Sequence, residues 1–135
     1  MKRALRATCI ATVLALTGLA QARDIQLTAD PSVPAAEGKA ELKHDRNGNL
    51  QVKLEVNHLA SPTKLTPPKQ VYVVWIQGRG KEPENHGQLK VNSDLKGSFE
   101  GTTPYPDFDI FITAEDNPAA TTPTGPAVLK GSAQL

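Results

Sequence analysis

Apolar and polar residues alternate along most of the chain beyond residue 22. The clearest run is Leu50 to Asn57, with Leu50, Val52, Leu54 and Val56 on one side and Gln51, Lys53, Glu55 and Asn57 on the other. A period of two is that of a half-buried strand; a helix would repeat every ~3.6 residues. The preceding run alternates in the same way, with Ala40, Leu42 and His44 against Lys39, Glu41 and Lys43, and Asp45-Arg46-Asn47-Gly48-Asn49 separates the two. Asn-Gly favours the positive φ angles of hairpin turns, so the two runs are expected to pair antiparallel. Gln70 to Gln77 behaves differently. Val71, Val73 and Trp75 fall on one face and Tyr72, Val74 and Ile76 on the other, which predicts a central strand covered on both sides. Asp107 to Ala114 predicts a second core strand, with Phe108, Ile110 and Ile112 on one face and Phe111 on the other. Shorter strands are expected at Ile25–Ala29, Gln88–Asn92, Ser98–Thr102 and Ala127–Gly131. Turn and loop signals separate them: the three-proline stretch Ser61–Lys69, the polar Gly78–Gly87 and the Pro/Thr/Ala-rich Glu115–Pro126. About eight short strands and no amphipathic helix predict an all-β protein, an antiparallel β-sandwich of immunoglobulin-like architecture, with a small barrel as the alternative. Its expected core is Tyr72, Val74, Trp75, Ile76, Phe108, Ile110 and Phe111.

The first 22 residues read otherwise. Lys2, Arg3 and Arg6 precede an apolar run from Ala7 to Leu19, and Ala20-Gln21-Ala22 fits a small-x-small cleavage site. This is the pattern of a secretory signal peptide, and the run is shorter than the ~20 residues a membrane span needs. The expected organisation is therefore a signal at 1–22, one sandwich domain at 23–135, and export to the periplasm or the medium. Cys9, the single cysteine, lies within the apolar run, so the exported domain would hold no disulfide, thiolate or Cys-ligated metal. Setting aside Lys2, Arg3 and Arg6 takes the fifteen basic residues to twelve against fourteen acidic ones. That balance, without a basic patch, gives no electrostatic support to nucleic-acid binding.

From Tyr72-Val73-Val74-Trp75 onward the sequence resembles the extracytoplasmic C-terminal domain of anti-sigma-K factors and small secreted proteins related to it. The residues that carry the resemblance are this Tyr-x-x-Trp strand, Gly87-Gln88-Leu89, the strand end Phe111-Ile112-Thr113-Ala114-Glu115, and Pro123-Thr124-Gly125-Pro126 before Ala127-Val128-Leu129. It covers about residues 70 to 131 and rests mostly on structural positions. A counterpart of the sigma-binding domain and transmembrane helix of full anti-sigma factors is not expected, a signal peptide being expected in their place. The resemblance implies a free-standing, exported domain that senses or binds a partner.

Candidate chemistry is sparse. His44, His58 and His86 show no paired spacing of zinc or copper ligands, although His44 and His58 flank one hairpin. His86 lies close to Glu82 and Glu84, which makes these three the candidate metal ligands. Asp107, Asp109, Glu115 and Asp116 form the densest group of carboxylates, the residue type of acid–base and glycoside chemistry. Ser61, Ser93 and Ser98 sit in no nucleophile elbow, and Gly78-Arg79-Gly80-Lys81 lacks the spacing of a phosphate loop. Tyr105, between Pro104 and Pro106, is expected to anchor a corner through a hydroxyl-to-backbone bond, with a ligand platform as its other role. The expectation is a non-enzymatic domain, without a cofactor, that binds an unknown protein or envelope component. Its candidate contact residues are Arg79, Lys81, Asn85, His86, Glu115 and Asp116 in the two loops. The alternative is a small-ligand or metal-binding module.

Overall fold

The computed structural model describes residues 22–134; the signal-peptide reading of residues 1–22 falls almost wholly outside them. The described residues form eight strands: β1 Arg23–Ala29, β2 Glu37–His44, β3 Leu50–Asn57, β4 Val71–Gly78, β5 Glu84–Leu89, β6 Gly97–Thr103, β7 Asp107–Glu115 and β8 Ala127–Gln134. All pairings are antiparallel, as the alternating patterns predict. Among the described residues the one helical element is a 3-10 turn at Pro62–Lys64, and no helix is long and apolar enough to cross a membrane.

Hydrogen bonding joins the strands into one sheet of order β5-β4-β7-β8-β1-β2-β3-β6. β1 carries the chain from one layer to the other. Arg23–Leu27 pair with β2, whereas Thr28 and Ala29 pair with β8. The two halves thus face each other across one core, and the sheet curls until its edges, β5 and β6, meet at a bridge between Val91 and Gly97. The consecutive strands β4, β5 and β6 are flanked by β7 beside β4 and β3 beside β6, which are Greek-key crossovers.

The inward residues of both halves form a single buried cluster, in which Ala40, Leu54, Tyr72, Val74, Ile76, Ile110, Ile112 and Leu129 are fully enclosed. The opposite face of β4 carries a second, smaller cluster of Val73, Trp75 and Phe111, against which Ala120 of the β7–β8 loop packs. Trp75 and Phe111 stack with centroids 6.4 Å apart. Every residue expected in the core is buried, and β4 is covered on both faces as its sequence requires.

Two boundaries depart from the sequence reading. Glu84–Gly87, expected within a loop, open β5. Val73 pairs with Gln88 but Trp75 with Asn85, so β5 carries one extra residue there, and Gly87 takes a φ of 115°. That bulge breaks the two-residue period and hides the strand from pattern reading. β8 also extends to Gln134, beyond Gly131, because Ser132, Ala133 and Gln134 continue the ladder with β7. The Asp45–Asn49 turn forms as predicted. Asp45 Oδ1 accepts the amides of Asn47 and Asn49 at 2.8 and 2.9 Å, and Gly48 supplies a φ of 80°.

Candidate functional site

The β7–β8 loop decides where a site can lie. β7 runs from the half-buried Asp107 to Glu115, and alternation puts Phe111, Thr113 and Glu115 on the face shared with Trp75. Glu115, expected as an exposed contact residue, is instead only 1% exposed. Trp75 Nε1 donates to Thr113 Oγ1 at 2.7 Å, and Thr113 Oγ1 donates to Glu115 Oε2 at 2.6 Å. Thr124 closes the network from the far side of the loop, its amide donating to Oε2 at 3.1 Å and its hydroxyl to Oε1 at 2.6 Å. A buried carboxyl group is tolerable only when its oxygens are satisfied, and here three donors converge on it. The sole tryptophan, the central strand and the loop Pro-Thr-Gly-Pro are thereby tied together. Asn85 pins the loop's middle, its Nδ2 donating to the carbonyls of Pro118 and Ala120 at 2.9 and 2.8 Å. Asn85, expected to face a partner, works within the fold.

The other candidate residues divide between the two ends of the barrel. Arg79 pairs with Asp107 at 3.9 Å and, with Lys81, belongs to the β4–β5 turn, at the end where β7 begins. Asp116 lies at the opposite end, where it pairs with Lys69 at 3.5 Å. The turn at Arg79 and Lys81 and the start of the 115–126 loop therefore lie at opposite ends, and the two stretches meet only where Asn85 holds Pro118 and Ala120. The carboxylates also separate. Asp109 accepts the Ser132 hydroxyl at 2.6 Å and pairs with Lys130 at 3.7 Å, while Glu115 lies six residues along the strand, about 20 Å away. His44 pairs with Leu50 at the turn of the β2–β3 hairpin, whereas His58 follows Asn57 at its open end, so flanking one hairpin holds these histidines apart.

His86 and Glu84 do come together, Nε2 to Oε2 at 3.6 Å, but Glu82 adds no third ligand, and no group of three His, Cys, Asp or Glu that could hold a metal occurs among the described residues. Glu84 instead accepts the Tyr105 hydroxyl at 2.6 Å, which together with partial burial holds the phenol above its usual range. The Tyr105 ring packs so closely on Gly78 that a Cβ there would lie 2.8 Å from it. The hydroxyl-to-backbone anchor expected of Tyr105 belongs to Tyr72, whose hydroxyl donates to the Ala60 carbonyl at 2.6 Å. Burial pushes the Tyr72 phenol up to about 12.

The end that carries Glu115 and Thr124 also holds a cleft of about 540 Å3 that sequence reasoning did not locate. Four segments line it: Asp30 and Ser32 after β1, Lys64 to Lys69, Ala114 of β7, and Thr124 to Val128. They are tied to one another. The Asp30 amide donates to the Val128 carbonyl at 2.8 Å, that of Lys69 to Pro62 at 3.0 Å, and that of Gln70 to Glu115 at 3.1 Å. Val128 sits at a bulge, the extra residue between the pairs Ile112–Leu129 and Thr113–Ala127, and bulges recur beside binding sites because they re-aim a side chain. The sequence signals were the two proline-rich loops, but only the strand order shows that they adjoin.

Comparison with known proteins adds the fold alone. No family model matches the chain, and no curated protein matches it. Among solved structures, a crystal structure of the clock protein EA4 superposes with a TM-score of 0.54 at 9% sequence identity, over 83% of this chain and 94% of that one.

Proposed function

We propose that this protein is an exported, non-enzymatic binding domain that recognises a protein or cell-envelope component through the barrel end built from loops 61–69 and 116–126. The observation that carries the reading is the Glu115 network. Two half-buried hydrogen bonds from Thr124 fix a surface loop to the buried Glu115 carboxylate, which Thr113 links to the only tryptophan, and so hold one wall of a cleft in a defined shape. Preorganisation of this kind lowers the ordering cost of binding. Export rests on the basic, then apolar, then small-residue pattern of residues 1–22. The resemblance to anti-sigma-K ectodomains supports the same kind of role, a sensor-like domain outside the membrane. The cleft also favours a second reading, a module for a small ligand, because its volume lies in the ~300–1,000 Å3 range of small-molecule sites.

The test is crosslinking in the producing cells, then affinity capture and mass spectrometry, with two variants that each add negative charge. In the first, Lys64→Glu alters a residue that lines the cleft, and Thr122→Glu adds charge two residues before the cleft-lining Thr124. Arg79→Glu with Lys81→Glu alters the opposite end. The reading expects one dominant partner, lost from the first variant and kept by the second. Equal capture by both variants and the unmodified protein would overturn it.

A further inference from the structure

The cleft holds two charges that the fold leaves unmatched. Lys69 is committed to Asp116, but Lys64, on the same wall, makes no ion pair among the described residues. Asp30, which also lines the cleft, accepts the Ser32 amide at 2.9 Å and likewise makes no ion pair among the described residues. Hydrogen bonds from Ser32, backbone first, hold the Asp30 carboxyl below its usual range, so it stays anionic. Opposite charges that line one cleft without reaching each other leave room between them, and the lining also has an apolar part, Leu65 and Pro67 with the largely buried Ala114 and Val128. Such a surface is complementary to a molecule with a cation at one end, an anion at the other and an apolar body.

We infer that the cleft between loops 61–69 and 121–126 binds an apolar zwitterion, an amino acid or short peptide, with its ammonium at Asp30 and its carboxylate at Lys64. The inference rests on the second of those readings, the small-ligand module, and gives it a ligand class. Free amino acids and peptides share the two charged ends. They differ in the length of body that must fit, and a cleft of about 540 Å3 has space for more than a single residue. One position allows the cleft to be closed without disturbing the fold. A Cβ built on Gly125 meets nothing within 4 Å, and the backbone there is not left-handed, so Gly125→Leu fills space and not structure.

The test is a nuclear magnetic resonance titration of the purified protein with the dipeptide Leu-Leu, its N-acetylated form, its C-amidated form and free leucine. The inference expects saturable shifts of the Ala114, Gly125 and Val128 amides with Leu-Leu. Blocking either end should weaken binding about tenfold, the loss of one modest charge contact. Asp30→Asn, which keeps the acceptor for Ser32, should abolish the penalty of acetylation alone, and Lys64→Gln that of amidation alone. Gly125→Leu should remove binding while leaving the rest of the spectrum in place. Tighter binding of Leu-Leu than of leucine would assign the site to peptides, and the reverse order to amino acids. No shift at these amides at millimolar Leu-Leu, or binding indifferent to both blocks, would overturn the inference. Either failure would leave the binding-domain reading standing if a partner is still captured through this end.

Discussion

Two residues carry much of the explanation. Glu115 was legible only in part. Its period-two relation to Thr113 and Phe111 places it on the face of β7 turned toward Trp75, yet an acidic residue at the head of a Pro-rich loop reads as solvated. The sequence did not reveal that Thr124, nine residues on, returns to satisfy it. Glu115→Gln swaps one acceptor oxygen for a donor amide facing a donor, which should cost about 1–3 kcal/mol of stability. Chemical denaturation followed by the fluorescence of Trp75 measures this, and a loss near zero would remove the network as a structural anchor. Leu95 shows the opposite case, a residue poorly suited to its position. Asn92 Oδ1 accepts the amides of Asp94 and Lys96 in a turn that repeats the form of Asp45–Asn49, and where that turn has Gly48, this one forces Leu95 to a φ of 60°. A left-handed leucine costs about 1–2 kcal/mol, partly offset in glycine by backbone entropy. Leu95→Gly should therefore raise stability by about 0.5–1 kcal/mol in the same denaturation assay.

Among the elements, strands with unbroken alternation or unbroken apolarity were legible from sequence. β2, β3, β4 and β7 were placed within a residue or two, because burial on one face or both writes its period directly into residue type. β5 was not, since its bulge at Gly87 and its polar residues leave no period to read. The same strand supplies Asn85, which holds the β7–β8 loop by two hydrogen bonds. Asn85→Ala should leave β4 and β7 protected while hydrogen exchange at the amides of Ala119 and Ala120 rises several-fold, because the opening of a loop is governed by its local anchors. Unchanged exchange there would show that Ala120 packing alone holds the loop.

At the scale of the whole fold, residues 22–134 form a sheet that curls until its edges meet, and sequence pattern could predict its class but not its closure. Strand order depends on which edges adjoin, and nothing in the spacing of Lys64 and Thr124 announces that they line one cleft. The larger of the two cores that result encloses Tyr72, and its phenol couples the fold to alkaline pH. A pKa raised from the usual 10 to about 12 favours the protonated form in the folded state. The stability it contributes is complete below pH ~10 and is lost as pH climbs toward the folded value. Unfolding should therefore grow easier between about pH 10 and 12, and Tyr72→Phe should flatten that stretch of the profile. The central claim is that the cleft end meets a partner, and the most direct measurement places a photocrosslinkable residue at position 122, two residues before the cleft-lining Thr124, or at position 81, at the far end, in the producing cells. The account predicts a defined crosslinked species from position 122 and none from position 81. The same species from both positions, or from position 81 alone, would contradict it.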